Sequence, residues 1–233
     1  MDALDNTDLL LEKLSCDAWF SSCSQELQQA LVRDAKMQQC PAGEAVYRDG
    51  ETARHALYCV VEGAIRLSSS MYDGAASLLV YLEPCHWFGD ISLIDGKPYI
   101  RNAVADVDSQ VLCVPSQPFE RWLNEHPIYW RDIARLSINK LRVAYQVIGE
   151  PGTIHHKLAR RLWLMAHGFG SRTHNPSQQL NVSQEHLAQM LGSTRQSINA
   201  GLAKLEALGL LKQGYKSIDI LDLDALLDHA NHK

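Results

Sequence analysis

The sequence predicts an α+β protein in three successive parts: an N-terminal antiparallel β-roll (jelly roll), a long helix, and a C-terminal helix-turn-helix closed by a short β-wing. Three observations carry this prediction. Between residues 37 and 115, short runs of strand-forming residues alternate with turn signals. From Ile128 to Ile148, apolar residues recur every three or four positions. From Val182 to Ile220, two helical patterns flank a glycine and two strand-like runs follow. The corresponding domain boundaries are 1–118, 119–150 and 151–233.

Residues 4–35 read as helical, with Leu27, Leu31 and Val32 on one apolar face. Turns are expected at Cys40–Glu44, Arg48–Glu51, Glu62-Gly63 and Asp73-Gly74. They separate strands at His55–Val61, Ala64–Ser70 and Ala76–Leu82, with Val104–Asp106 and Gln110–Val114 continuing the pattern. The segment Glu83–Leu93 interrupts the strands. There, Ile91–Ile94 suits a single helical turn whose free N–H groups offer an anion site, while Trp87 and Phe88 plug the core.

Phe119–Leu123 opens a short helix, His126-Pro127 breaks it, and Ile128–Ile148 forms a long one with Pro127 in its first turn. Trp130, Ala134, Ser137, Leu141, Ala144 and Ile148 make a heptad seam, and Ile133, Leu136, Lys140, Val143 and Val147 make a second stripe. One stripe covers the β-roll and the other meets the same helix of a second copy, so a parallel homodimer is expected rather than a helix buried on both sides within one chain. Gly149-Glu150-Pro151-Gly152 ends the helix and forms a hinge.

In the C-terminal part, Leu187, Ala188 and Leu191 face inward from the first helix, and Gly192 supplies the positive φ of the turn. Thr194 caps the second helix, whose buried face is Ile198, Leu202 and Leu205. Its opposite face carries Arg195, Gln196, Asn199 and Ala203. Arginine suits guanine, and glutamine or asparagine suits adenine, so this face reads as a major-groove surface. Gly209 ends the helix, Gly214 sits at the wing turn, and Lys212 and Lys216 flank that turn as phosphate contacts.

Charge by region agrees. The whole chain is acidic, with 22 Lys/Arg against 27 Asp/Glu, but residues 152–221 hold eight Lys/Arg against three Asp/Glu. The six cysteines (Cys16, Cys23, Cys40, Cys59, Cys85, Cys113) show no close pairing and no CxxC or CxxH spacing, so no metal or cluster site is expected. Cys59 and Cys113 read as small core residues. An acidic N-terminus without a basic n-region predicts no signal peptide, and no run reaches membrane-spanning length. A reduced cytoplasmic protein is therefore expected. His155-His156 and His229/His232 read as solvated polar residues, no Ser/His/Asp set or phosphate loop emerges, and no catalytic site is expected.

In this order, β-roll, long helix, hinge and winged helix resemble the Crp/Fnr family of bacterial transcription regulators. The resemblance spans nearly the whole chain and rests on four patches. These are Tyr47-x-x-Gly50 with Leu57-Tyr58-x-Val60-x-x-Gly63, Trp87-Phe88-Gly89-Asp90, Asp95-Gly96-x-Pro98, and the run from Leu187 through Leu211. It implies a cyclic-nucleotide-binding-like roll and a homodimer on a near-palindromic double-stranded operator that recruits or blocks RNA polymerase. The implied DNA-contacting set is Ser183, Thr194, Arg195, Gln196, Asn199, Ala200, Lys212 and Lys216. Members often carry Arg where Ala200 stands, so the operator is expected to differ from theirs.

The implied effector pocket is Gly89, Asp90, Ile91, Ser92, Tyr99, Ile100, Arg101, Ala144 and Tyr145. Cyclic-nucleotide binders place Arg-Ser where Tyr99-Ile100 stands and hydroxyls where Ala144 and Tyr145 stand. A buried phosphate without a paired cation is disfavoured, so cyclic AMP is not the expected ligand. Arg101 would share a strand face with Tyr99 and restore part of the charge. Four alternatives follow: an unknown anionic effector, haem or redox sensing at Cys85 or His86, a ligand-free regulator with Tyr99, Ile100 and Tyr145 filling the pocket, or a nucleotide-binding or interaction module without DNA binding.

Overall fold

The structure, a computed structural model, describes residues 3–52, 55–70, 76–147, 152–170 and 176–231. The Asp73-Gly74 turn, Ile148 and the Gly149-Glu150-Pro151 part of the hinge lie outside the described residues. The chain forms two compact units, residues 1–74 with 80–139 and residues 75–79 with 140–233.

The first unit opens with helices α1 (Ala3–Leu14), α2 (Ala18–Ser22) and α3 (Gln25–Arg33). Asp17 caps α2 through a 2.7 Å bond from the Phe20 amide, and Ser24 caps α3 through the Leu27 amide. Strands β1 (Lys36–Cys40), β2 (Ala45–Tyr47), β3 (Ala56–Glu62), β4 (Ile65–Ser70), β5 (Ala76–Leu82), β6 (Trp87–Phe88), β7 (Asn102–Ala105) and β8 (Ser109–Pro115) follow, with α4 (Asp90–Asp95) after β6. They make two four-stranded sheets, ordered β1-β8-β3-β6 and β2-β7-β4-β5.

Strand alternation distributes the core. On β3, Leu57 and Cys59 join Trp19, Phe20, Leu27, Leu31 and Leu112 on the helical side, while Tyr58 and Val60 point into the roll with Tyr47, Phe88 and Val111. Both faces of β3 are therefore buried, and its sequence ALYCV is accordingly apolar throughout. Trp87 and Phe88 are each 1% exposed, as the core-plug reading requires. Cys113, expected in the core, is half-buried.

Two cysteines correct the reading of six unpaired thiols. Cys16, just after α1, and Cys85, in the turn before β6, are joined as a disulfide with Cα atoms 6.0 Å apart. Their 69-residue separation leaves no local spacing for a sequence reading to detect. Cys85 adopts φ 77°, so the turn that presents it is held in a region few non-glycine residues occupy.

After β8 come α5 (Ser116–Glu125), one 3-10 turn at Pro127–Tyr129, and the long helix α6 (Trp130–Val147). Two residues of the second apolar stripe, Ile133 at 0% and Leu136 at 4% exposure, lie within the helical core cluster. The first stripe departs from expectation at Ser137, whose hydroxyl bonds to Asp90 of its own chain. Trp130 also packs on the core cluster, with its indole N–H toward Asn124. The exposed apolar face of α6 runs instead through Ile138, Leu141 and Tyr145, at 46%, 49% and 67% exposure. Serine is too small to show by periodicity which side of a helix it serves.

The second unit contains α7 (Ile154–Ala166), β9 (Gln179–Leu180), α8 (Gln184–Leu191), α9 (Arg195–Ala207), β10 (Leu211–Gln213), β11 (Ile218–Ile220) and α10 (Leu223–Asn231). Leu158, Leu162, Leu187, Ile198, Leu202, Leu205 and Leu226 are at most 1% exposed and form its core. Met190 is buried beside Leu187 and Ala188, where Leu191 was expected; Leu191 is half-buried. Close approach of α9 to α7 requires Gly201, since a Cβ there would lie 2.5 Å from Leu158 Cδ1. The wing has three strands, ordered β10-β11-β9, because β9 pairs with β11.

Candidate nucleic-acid interface and effector pocket

The helix-turn-helix is built by its caps. Ser183 accepts from the His186 amide and starts α8; Gly192, at φ 57°, ends it. Thr194 accepts from the Ser197 amide at 3.1 Å and starts α9. Capping fixes the first turn of α9, where Arg195 and Gln196 project, and they are exposed together with Asn199, Ala200 and Ala203. Ile198, Leu202 and Leu205 occupy the opposite, buried face as expected.

The exposed face is also tied to its neighbours. Gln184 donates to Asn199 Oδ1 at 3.1 Å, which orients the amide on the outer side of α9. Glu206 receives both the backbone N–H and the side-chain amide of Gln213, at 2.9 and 2.8 Å, fixing the wing to α9. A cleft of about 490 Å³ opens between these parts, lined in part by Ser183, Gln184, Arg195, Gln213 and Lys216. Lys212 and Lys216 are exposed at the wing. The wing turn runs from Gly214 to Ser217, whose carbonyl accepts from the Gly214 amide. Positive φ falls on Lys216 (52°), and a Cβ at Gly214 would crowd the rotatable Ser217 hydroxyl.

The two hydrogen bonds from Gln213 hold the Glu206 carboxyl below the usual carboxylate range. A depressed folded-state value gives stability that is full above the unfolded value and is lost as pH falls through the folded one. The Gln213 amide signal in NMR should therefore shift with Glu206 protonation at a midpoint below that of a free glutamate. Glu206→Gln should abolish the transition; a transition that survives would assign it to another group.

In the roll, Gly89 (φ 88°) introduces α4, and a Cβ there would sit 2.5 Å from the Ala56 carbonyl. Asp90 and Ser92 are buried, at 2% and 4% exposure, while Ile91 is half exposed at 50%. Asp90 lies in the first turn of α4, and its buried carboxyl accepts from the Ser137 hydroxyl of α6.

Tyr99 is 3% exposed and stacks on Tyr47 with ring centroids 3.7 Å apart; its hydroxyl accepts from the Ala56 amide at 2.9 Å. Burial raises the Tyr99 phenol, so it is neutral. A neutral aromatic cluster of Tyr47, Tyr58, Phe88 and Tyr99 thus fills the roll interior. Ile100 is 55% exposed and lies outside that cluster, and Tyr145, on α6, is 67% exposed. Arg101 lies in the bend before β7 and donates to the Ile100 carbonyl, so strand alternation does not place it with Tyr99. Ala144 is half-buried near the end of α6.

Of the two residues considered for haem, Cys85 has its sulfur in a disulfide with Cys16, and His86 is buried, 4% exposed, with Nδ1 2.8 Å from the Glu83 carbonyl oxygen. His155, His156 and His229, read as solvated, are half-buried and stand together. Burial and the nearby Lys204 lower the His155 imidazole from its ordinary value. No spacing rule signals this grouping, since His155 on α7 and His229 on α10 lie 74 residues apart.

No helix among the described residues is long and apolar enough to cross a membrane. Residues 37–126 match the cyclic nucleotide-binding domain family and residues 156–229 the Crp-like helix-turn-helix domain family. The chain is 31% identical to the Thermus thermophilus transcriptional regulator LdrP over 184 residues, covering 78% of this chain and 91% of that protein. It is 24% identical to a CRP-like cAMP-activated global transcriptional regulator of Mycobacterium tuberculosis, covering 86% of this chain and 91% of that one. FixK2 of Bradyrhizobium japonicum shares the fold, with a TM-score of 0.71 at 22% identity over 83% of this chain and 96% of that chain. Two matched domains in this order, and a relative at this identity over most of both chains, place the protein in the Crp/Fnr family of DNA-binding transcription regulators, a family of regulators rather than enzymes.

Proposed function

We propose that the protein acts in the cytoplasm as a homodimer on a near-palindromic operator, where it recruits or blocks RNA polymerase without cyclic AMP as its effector. The observation that carries the DNA reading is the exposed row Arg195, Gln196, Asn199 and Ala200 on a capped helix beside an exposed, lysine-bearing wing. Arg195 pairs with guanine, and Gln196 and Asn199 pair with adenine. Ser183, Thr194, Lys212 and Lys216 meet phosphates. Ala200 offers no hydrogen bond, which shifts the preferred base at its position. The dimer is supported by the exposed stripe Ile138, Leu141 and Tyr145, since a C2 pairing of this helix buries it and sets two reading heads on one duplex.

The effector reading rests on Tyr99. A buried, neutral, hydrogen-bonded ring stands where a cyclic phosphate would need a cation. Calorimetric titration of cyclic AMP into the purified protein is expected to give no saturable heat, and its absorbance spectrum no haem band. Binding in the micromolar range would overturn the reading and would require Tyr99 to leave its stack on Tyr47.

A further inference from the structure

The first turn of α7 and the last turn of α10 bring three imidazoles together away from the DNA-reading face. One ring nitrogen each from His155, His156 and His229 lies within 4.8 Å of the other two. The rings pack on one another with centroids 4.2, 5.0 and 5.1 Å apart, and His155 Nδ1 is already 2.9 Å from His229 Nε2. Tetrahedral coordination with metal–nitrogen bonds of about 2.0–2.1 Å needs ligand nitrogens about 3.3 Å apart, so modest side-chain rotation closes the set. All three donors are imidazoles, which suit zinc, nickel or copper and not magnesium or calcium.

We propose that His155, His156 and His229 form a binding site for a transition-metal dication of the zinc, nickel and copper class, clasping α7 to α10. Water completes the fourth position.

Lys204 connects this site to the reading helix. Its ammonium, on α9, donates to His155 Nε2 at 2.7 Å. Because Nε2 accepts that bond, the neutral ring carries its proton on Nδ1 and donates it to His229 Nε2. A metal on Nδ1 takes the lone pair of that nitrogen, and the ring proton moves to Nε2. Nε2 then has no lone pair for Lys204, and the ammonium must leave. Metal binding and the Lys204–His155 contact therefore exclude one another, and the ion changes where a positive charge sits on the helix that carries Arg195. The inference does not depend on operator choice, because the site is complete without DNA.

The test is calorimetric titration of zinc chloride into the full-length protein without DNA, with magnesium chloride as control. One ion per chain should bind saturably, and magnesium should not. His156→Gln and His229→Gln should each weaken zinc binding about 10-fold or more, at least the loss that follows removal of a supporting residue around a metal. Lys204→Met removes the competing cation and should tighten binding severalfold, which scattered surface histidines would not produce. Far-UV circular dichroism and the metal-free melting temperature should match wild type in all three variants, since the substituted side chains lie outside the core. Absence of saturable zinc binding in the wild type, or wild-type affinity in both glutamine variants, overturns the site. Unchanged affinity in Lys204→Met overturns the link to α9.

Discussion

Replacing Arg195 with alanine is expected to remove sequence preference while leaving the fold intact. The side chain is exposed on the first turn of α9 and makes no contribution to the buried face of Ile198, Leu202 and Leu205. The cap that holds that turn belongs to Thr194 and is retained. Unfolding should therefore change by less than about 0.5 kcal/mol, as for other surface substitutions. A bidentate arginine–guanine pair discriminates by roughly 1–3 kcal/mol, and a two-fold dimer makes it twice. Affinity for the preferred operator should fall by about 30-fold to 10⁴-fold, with binding to random duplex and its salt dependence much less affected. A selected operator bound equally by both proteins would assign base reading to other residues.

Leu141→Asp is expected to have a comparable effect on assembly. Leu141 sits in the middle of the apolar stripe that α6 leaves exposed, with Ile138 three residues before it and Tyr145 four residues after. Burying a leucine side chain stabilises by roughly 1.5–3 kcal/mol, and a two-fold interface loses that contribution from each copy. Facing aspartates add like-charge repulsion in a desolvated seam. The dimer dissociation constant should rise by about 100-fold or more, since each 1.4 kcal/mol is tenfold. Sedimentation at micromolar concentration should show a monomer of unchanged helical content. A dimeric mass for this variant would place the interface on another surface.

The parts of the fold set by strong local chemistry were legible. Thr194 marks a helix start because a side-chain oxygen satisfies a free amide, and Gly192 marks the turn because φ 57° suits glycine. The doubly buried β3 and the Trp87-Phe88 plug follow from apolar runs that no solvated strand would carry. What was hidden depends on pairs distant in sequence. The Cys16–Cys85 disulfide, the His155–His229 contact and the Ser137–Asp90 bond span 69, 74 and 47 residues, and no spacing rule connects such positions. The C-terminal helix α10 was also missed, because its LDALLDHAN pattern is short and follows directly on the wing.

The pocket shows a different limit. Register along the sequence placed Tyr99 where a cation was expected, and the structure adds that its ring is stacked and buried. Arg101 was assigned by strand alternation, but β7 begins only at Asn102. Alternation holds only within a strand, so it does not fix which way residues in the preceding bend face.

The most direct test of the central claim is selection of bound sequences from a randomised duplex library by the full-length protein with no nucleotide added. Enrichment of a near-palindrome is expected, with half-sites about one helical turn apart, about 10–10.5 base pairs centre to centre, and a guanine in each half-site that is lost in the Arg195→Ala selection. No enrichment, or enrichment only when cyclic AMP is present, would contradict the claim.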